Sequence, residues 1–130
     1  MMKMLNFLTR RDGISREEFE DYWLNTHGPL VRKHAEALNL RRYIQVHARN
    51  AEVVAGMNDP RGGVGNELPV DYDGVVELWW DSAESFLESW QTEEGKAAWA
   101  AIAADEPNLT NRDRCYTYVG EEILLYPKGQ

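Results

Sequence analysis

The chain has 130 residues, of which 43% are hydrophobic and 28% charged, which suffices for one compact domain and is too little for two ordinary ones. Fourteen basic and 22 acidic residues give a net charge of −8, the wrong sign for a protein that neutralises nucleic-acid phosphates. Because Cys115 is the sole cysteine and no apolar run approaches membrane-spanning length, we expect a cytoplasmic protein without disulfides, targeting segments or membrane spans.

Four stretches of the chain have the residue pattern of β-strands: residues 3–10, 42–49, 74–81 and 115–126. Along the second stretch, alternation places Tyr43, Gln45 and His47 on one face of the strand. Along the third stretch, Glu77 and Trp79 also share a face. Each of these two strands is therefore expected to present polar and aromatic groups on one side.

Two regions are predicted to be helical. Ser15 and Glu18 form a capping-box pattern, which indicates that the first helix begins there. His27 lies on the sheet-facing side of this helix, just before the Gly-Pro pair at residues 28–29. Because proline cannot donate a helical hydrogen bond, we expect a kink or restart that turns His27 toward a cleft. The second helical region is predicted over residues 82–104.

The predicted order of elements is β-α-β-β-α-β, which is typical of a ferredoxin-like α+β fold, with an antiparallel sheet and both helices on one face. Residues 50–72 are rich in glycine and proline and show little periodicity. They are predicted to form a long loop near the mouth of the site, where it could act as a lid.

One face of such a sheet has no helices over it. We expect Tyr43, His47, Glu77 and Trp79 to lie together on that bare face. Because large aromatic patches are seldom left open to water on soluble monomers, we expect a second copy to cover it. The prediction is a homodimer in which two sheets face each other around shared cavities.

Three stretches resemble the EthD-type family within the dimeric α+β barrel superfamily: FLTRRDGISREEFEDYWLNTHGPLV at 7–31, RYIQVH at 42–47 and DGVVELWWDS at 73–82. The resemblance covers most of the chain and implies one domain over residues 1–130 with the barrel-forming fold. Relatives in that family include proteins linked to ether degradation, polyketide cyclases, dehydratases and decarboxylases, and the wider superfamily includes cofactor-free oxygenases. His27 matches the family's histidine in the HGPL motif.

Four residues are candidates for catalysis. His27 and His47 can take or give a proton near neutral pH, and the Tyr43 hydroxyl can donate to a developing oxyanion. Glu77, a carboxylate among apolar neighbours, could orient His47 or pair with an arginine such as Arg42. Purely structural roles remain open for both histidines: bonding the carbonyls freed by proline, or bonding across a dimer interface.

The residues expected to bind substrate are mostly aromatic: Asn6, Tyr22, Trp23, Gln45 and Trp79. The histidine spacings do not reproduce the pairs that hold a metal on one helix, no haem-attachment motif is present, and the lone cysteine has no recognisable partner histidine. We therefore expect neither a metal nor a cofactor.

Three functions fit these expectations. The first is a cofactor-independent lyase or cyclase that performs dehydration, decarboxylation or aldol-type closure on a small aromatic or polyketide-like molecule. The second is a cofactor-free oxygenase acting on a phenol or quinol. The third is a non-catalytic dimer that binds an apolar metabolite. All three are kept because the fold alone does not decide among them.

Overall fold

The computed structural model describes residues 1–49 and 72–127, so the loop predicted over residues 50–72 lies, apart from its last residue, outside the described ranges. The elements follow the predicted order: β1 (Met2–Leu8), α1 (Arg16–Tyr22), a π-helical turn (Trp23–His27), α2 (Gly28–Lys33), β2 (Arg42–His47), β3 (Gly74–Trp80), α3 (Ala83–Glu88), α4 (Glu93–Asp105), two 3₁₀ turns (Glu106–Asn108 and Arg112–Arg114) and β4 (Tyr116–Glu121). The last strand ends five residues earlier than predicted, at Glu121 instead of residue 126.

The four strands form one antiparallel sheet in the order β2-β3-β1-β4. This is the ferredoxin-like arrangement, and the predicted fold class is confirmed. The helices cover one face, where Phe19 and Trp23 pack against Val76 and Leu109 in one buried cluster. A second cluster joins Val31 of α2 and Leu38 to Ala98 and Ile102 of α4.

The strand register determines which side chains face the helices. Tyr43 pairs with Leu78 and Gln45 with Val76, and residues directly opposite each other on antiparallel strands project to the same face. Because Val76 packs under the first helix, Tyr43, Gln45 and His47 lie on the helix-covered face. This corrects the expectation that they lie on the bare face.

Glu77 and Trp79 lie on the opposite, bare face of the sheet, since they pair with Ile44 and Arg42. The expectation that Tyr43 and His47 share a face with Glu77 and Trp79 was therefore wrong. Alternation shows which residues of one strand share a face. It does not show which residues of the neighbouring strand lie on that same face, because the two strands can pair in registers that differ by one residue.

The first helix continues past the Gly-Pro pair instead of breaking. Ser15 and Glu18 form the predicted capping box at its start. At its centre the Gly28 N–H donates to the carbonyl of Trp23, five residues back, so one turn is wider than in an α-helix. Pro29 then stands in the first turn of α2, where its missing N–H costs little. A π-helical turn thus replaces the predicted kink. Within the described ranges, no helix has the length and hydropathy needed to cross a membrane.

Candidate functional site

The site is centred on a hydrogen bond between the first and last long helices. His27 ends the π-helical turn and is 8% exposed, and its Nδ1 lies 2.8 Å from Oδ2 of Asp105, at the end of α4. A carboxylate can only accept, so Nδ1 carries the hydrogen and donates it. When the ring is neutral its lone pair is on Nε2, for which the described residues offer no hydrogen-bond partner.

Asp105 is in turn held by two other donors. Its Oδ1 accepts from the Tyr22 hydroxyl at 2.5 Å and from the Asn108 amide at 3.2 Å. Burial favours a neutral Asp105, but the hydrogen bonds from Tyr22 and His27 outweigh it and hold the pKa of Asp105 below its ordinary value. The bond to Asp105 raises the pKa of Tyr22. Asp105 is therefore ionised at neutral pH while Tyr22 keeps its proton.

A cavity of about 480 Å³ lies between the helices and the sheet and is bounded by His27. Its walls are mainly aromatic and aliphatic, with Trp23, Trp80, Phe86, Trp90 and Trp99 among them. Polar side chains on the walls include Asn6, Tyr43, Thr110 and Thr117. At the edge of the cavity, Arg112 and Glu106 approach each other to 3.6 Å. The arrangement suits a mostly apolar molecule with a few polar atoms.

Tyr43, on strand β2, contributes to the wall of this cavity. The Gln45 amide nitrogen donates to the Tyr43 oxygen at 2.9 Å and to the backbone carbonyl of Trp23 at 2.8 Å. Burial raises the pKa of Tyr43, and hydrogen bonds from the Gln45 and Trp23 side chains offset that rise only in part. The phenol therefore stays protonated, and its hydrogen has no acceptor among the described residues.

His47 lies on the same side of the sheet but outside this cavity. Its ring stacks on Trp23 with centroids 4.5 Å apart, and its Nε2 donates to the Gln45 amide oxygen at 2.8 Å. The other ring nitrogen lies 3.6 Å from Glu20, which is also bound by Arg49 at 2.7 Å. His47 instead lines an outer groove, which is also lined by residues of α2 and β2 such as Pro29, Arg32 and Arg42. The expectation that both histidines reach one cavity was therefore wrong.

The remaining predicted residues are dispersed. Glu77 pairs with Lys3 at 3.0 Å on the bare face, and not with arginine or His47. Trp79 lies beside it, between Lys3 and Arg42, with both cations about 4.5 Å from the ring centre. The structure thus brings His27, Tyr43, Asn6 and Trp23 to one cavity, places Gln45 behind Tyr43 and Tyr22 behind Asp105, and separates Glu77 and Trp79 from them.

Sequence reasoning missed Asp105, although it is the direct partner of His27. The two residues are 78 positions apart, and Asp105 is the last residue of an alanine-rich helix that shows no motif. The available signal was topological: the first and last long helices lie side by side on one sheet face in this fold. Within the described ranges, no three His, Cys, Asp or Glu side chains converge to hold a metal ion.

The fold and this site define an α+β protein of the ferredoxin-like type with a cavity between its helices and its sheet. The family model described as EthD domain matches residues 11–113, and the chain belongs to that family. The family resemblance in the sequence is therefore confirmed.

Several solved structures share the fold. An ethyl tert-butyl ether D (EthD) family protein from Bacillus halodurans is 24% identical, covers 95% of this chain and 100% of its own, and has a TM-score of 0.57. SnoaB, a cofactor-independent oxygenase from Streptomyces nogalater, is 12% identical over 98% and 97% of the two chains, with a TM-score of 0.52. A dimeric ferredoxin-like protein from Thermobifida fusca is 14% identical over 92% and 88%, with a TM-score of 0.50. These likenesses concern the fold. Among curated proteins, none matches this sequence.

Proposed function

We propose that this protein is a cofactor-independent lyase or cyclase that acts on a small aromatic or polyketide-like molecule. The observation that carries the proposal is the His27–Asp105 pair at the wall of an aromatic-lined cavity of about 480 Å³. Candidate reactions are dehydration, decarboxylation and aldol-type closure, which all require a proton to be moved next to a carbonyl group.

His27 is the acid–base group in this proposal. Its Nε2 takes a proton from the substrate and returns it later, while Asp105 keeps the hydrogen of Nδ1 in place and stabilises the imidazolium that forms. Proton transfer by a positioned histidine typically contributes about 10²–10⁴-fold in rate.

Tyr43 donates to the substrate carbonyl. Its oxygen already accepts from Gln45, and its hydrogen is unused, so the phenol can stabilise negative charge that develops on an enolate oxygen. Since burial raises the pKa of Tyr43, the group remains a donor throughout the neutral range.

The lining of the cavity supports the substrate class. Trp23, Trp80, Phe86 and Trp99 offer flat apolar surfaces, and Asn6 and the threonines offer hydrogen bonds at one side. A planar molecule with one or two rings and a few oxygens fits a volume of this order.

The test uses a chemical probe of a buried base. 5-Nitrobenzisoxazole loses its ring C–H proton to a base while its N–O bond breaks, which releases a coloured cyanophenolate. We expect the protein to accelerate this reaction, and we expect His27→Ala to lower the rate by about 10²-fold or more. His34→Ala is the matched control and should retain the rate, because His34, at the end of α2, does not line the cavity. Equal losses in both variants would contradict the assignment.

A cofactor-free oxygenase is the second candidate, supported by the shared fold with SnoaB and by the aromatic cavity. An oxygenase would need a substrate able to pass an electron to oxygen. Oxygen uptake with 1,4-naphthohydroquinone that exceeds both the buffer rate and the His27→Ala rate would favour it. Probe binding in the cavity with no turnover of either compound would instead favour the third function, a non-catalytic binding protein for an apolar metabolite.

We also propose that the protein is a homodimer formed through the bare face of its sheet. Leu5, Phe7, Ile44, Val75 and Trp79 project from this face, and no helix covers them in the described ranges. A solved neighbour of the same fold is dimeric. A second copy related by a two-fold axis would remove this apolar surface from water.

A further inference from the structure

The wall of the cavity that contains His27 carries one arginine. Arg112, on the second 3₁₀ turn, is the sole lysine or arginine among the described residues that line this cavity, and Glu106 is the sole carboxylate. The acid–base chemistry proposed above uses neither of them. A cation at the edge of a largely aromatic cavity is a feature that a purely apolar ligand would not need.

The turn that carries Arg112 is fixed to the end of β1. The Asn111 N–H donates to the Thr9 carbonyl at 3.0 Å, and the Thr9 hydroxyl donates to the Arg114 carbonyl at 2.8 Å. The Asn111 side chain also caps the turn, since it accepts from the Asp113 N–H at 3.2 Å. The backbone of Arg112 is therefore held in place, although its side chain is 69% exposed.

Glu106 holds the guanidinium of Arg112 only loosely. Nε of Arg112 lies 3.6 Å from Oε2 of Glu106, which is beyond hydrogen-bond length, and both side chains contact water. Exposed charge pairs of this kind contribute little stability. A ligand carboxylate that accepts two parallel hydrogen bonds from the guanidinium would therefore displace Glu106.

The strand register gives the cavity an apolar end and a charged end. Trp80 lies opposite Met2, at the start of β1, and stacks on Trp99. The turn that carries Arg112 is bonded to the chain just beyond the other end of the same strand. Because a strand rises about 3.3 Å per residue, Met2–Leu8 spans about 20 Å between these ends. Side chains from both ends line the cavity.

His27 lies toward the charged end. On α4, Trp99 precedes Asp105 by six residues, which corresponds to about 9 Å of helix. Asp105 bonds His27 and is followed directly by Glu106, the partner of Arg112. A molecule with an acid group at Arg112 would therefore have the adjacent carbons near His27 and its rings toward the tryptophans.

We propose that the substrate is an aromatic carboxylic acid whose carboxylate binds Arg112 in place of Glu106. This inference rests on the function proposed above and names the substrate class of that site. The carboxylate is a recognition group and not a leaving group: an ion pair with Arg112 stabilises the charged substrate, whereas decarboxylation moves the charge away from the carboxyl group. Dehydration and aldol-type closure therefore fit this site better than decarboxylation.

Calorimetric titration of the full-length protein with 2-naphthoate and with uncharged 2-naphthamide tests the proposal, because the two probes share a ring system and a shape. We expect the carboxylate to bind at least about tenfold more tightly than the amide, and we expect Arg112→Gln to remove this preference. Arg114→Gln is the matched control and should keep the preference. It deletes the same charge from the same turn, but Arg114 does not line the cavity.

A second variant predicts a gain. Glu106→Gln removes the carboxylate that competes for Arg112, so we expect naphthoate to bind about two- to fivefold more tightly and naphthamide to bind as before. Asp113→Asn removes the same charge from the turn but does not line the cavity, and it should not produce this gain.

Equal binding of the two probes would overturn the proposal but not the role of His27, which the 5-nitrobenzisoxazole assay tests separately. An equal loss in Arg112→Gln and Arg114→Gln would also overturn it, because the effect would then be one of overall charge. A loss as large in Arg32→Gln would place the anion in the outer groove and contradict the proposal. If neither probe bound at millimolar concentration, both this inference and the aromatic substrate class of the proposed function would be wrong.

Discussion

At the scale of single residues, the two oxygens of Asp105 have different partners. Oδ2 accepts from His27, and Oδ1 accepts from Tyr22 and from the Asn108 amide nitrogen, which can only donate. An amide in place of the carboxylate would keep its oxygen toward Asn108 and so turn its NH₂ group toward His27.

Asp105→Asn is therefore expected to inactivate His27 as a base without removing it. The amide would donate to Nδ1, the ring hydrogen would move to Nε2, and the lone pair would no longer face the substrate. We expect the rate of 5-nitrobenzisoxazole opening to fall by about 10²–10⁴-fold. The measurement is the pH profile of this rate.

The matched comparison for Asp105→Asn is Tyr22→Phe, which removes one donor to Asp105 but keeps the carboxylate on His27. We expect a much smaller loss, within about tenfold. If Asp105→Asn also lost less than tenfold, Asp105 would be a structural partner of His27 and not the group that sets its tautomer.

The candidate site was only partly readable from the sequence. His27 and Tyr43 could be selected because of their residue types and because each lies in a recognisable element. The partner Asp105 could not, because it comes from a helix 78 positions away and the contact depends on how the helices pack. His47 was selected by the same reasoning as Tyr43, yet its ring lies behind Trp23, which only the packing reveals.

At the scale of elements, the π-helical turn depends on Gly28. A Cβ atom at this position would lie 2.8 Å from the Gln45 amide nitrogen and 2.9 Å from the Trp23 carbonyl oxygen. The bond between these two groups therefore leaves no room for a side chain. The glycine allows the amide of Gln45 to approach the helix backbone and to reach Tyr43 at the same time.

Gly28→Ala is expected to displace Gln45 and to lower the free energy of unfolding by about 1–3 kcal/mol, as overpacking does. Gly120→Ala is the control, because its nearest neighbour would be Tyr118 at 3.4 Å, which is a milder approach. Thermal unfolding of both variants gives the comparison. Equal midpoints would show that the backbone adjusts around the added methyl group.

The buried carboxylate of Asp73 connects three segments of the chain through its hydrogen bonds. Asp73, just before β3, is 2% exposed and accepts from the Arg10 backbone and guanidinium and from Arg16 at 2.7–3.1 Å. Burial pushes the pKa of Asp73 upward, but these bonds together hold it below the ordinary value. Because the pKa of Asp73 is lowered in the folded protein, the ionised carboxylate stabilises the fold. This contribution is complete above the ordinary carboxyl pKa and is lost as the pH falls through the lowered pKa.

Asp73→Asn is expected to lower the free energy of unfolding by about 1.5–3 kcal/mol at pH 7, because bonds to a charged group are lost. The difference from the unsubstituted protein should shrink as the pH falls below the ordinary carboxyl pKa of 3.8 and through the lowered pKa of Asp73, where the native carboxylate also becomes protonated. The control is Asp81→Asn, whose exposed pair with Arg41 spans 3.4 Å and should contribute less than about 1 kcal/mol. A difference that did not change with pH would contradict a role for the charge.

The fold was more predictable than the site, for a reason visible in the strands. Each strand can be recognised in the sequence from local alternation or from an apolar run. The order of elements then restricts the sheet to few topologies. What alternation does not give is the phase between neighbours: Tyr43 lies opposite Leu78, and not opposite Glu77 or Trp79. A shift of one residue in the pairing of β2 with β3 exchanges the two faces of the sheet. The prediction that Glu77 and Trp79 belong to the site depended on this register.

At the scale of the whole molecule, the bare face consists of rows of side chains that cross the sheet. One row joins Phe7, Val75 and Val46, and another joins Lys3, Trp79 and Arg42. The indole nitrogen of Trp79 is buried without a hydrogen-bond partner in the described part of one copy. A buried polar atom of this kind is costly, and a second copy could supply an acceptor for it.

A charge at the centre of the bare face should therefore separate the copies. Val75 lies in the apolar row between Phe7 and Val46, and in Val75→Asp the pairing of two sheets would bury a carboxylate from each copy without a cation in that row. Because burying an unpaired charge costs several kcal/mol and each 1.4 kcal/mol is tenfold in affinity, we expect the dimer to weaken by at least about 100-fold. Sedimentation should then show the 15.0 kDa monomer. Leu87→Asp, on the exposed side of α3, introduces the same charge away from this face and should remain dimeric. If Val75→Asp sedimented as the control does, the copies would have to meet through another surface.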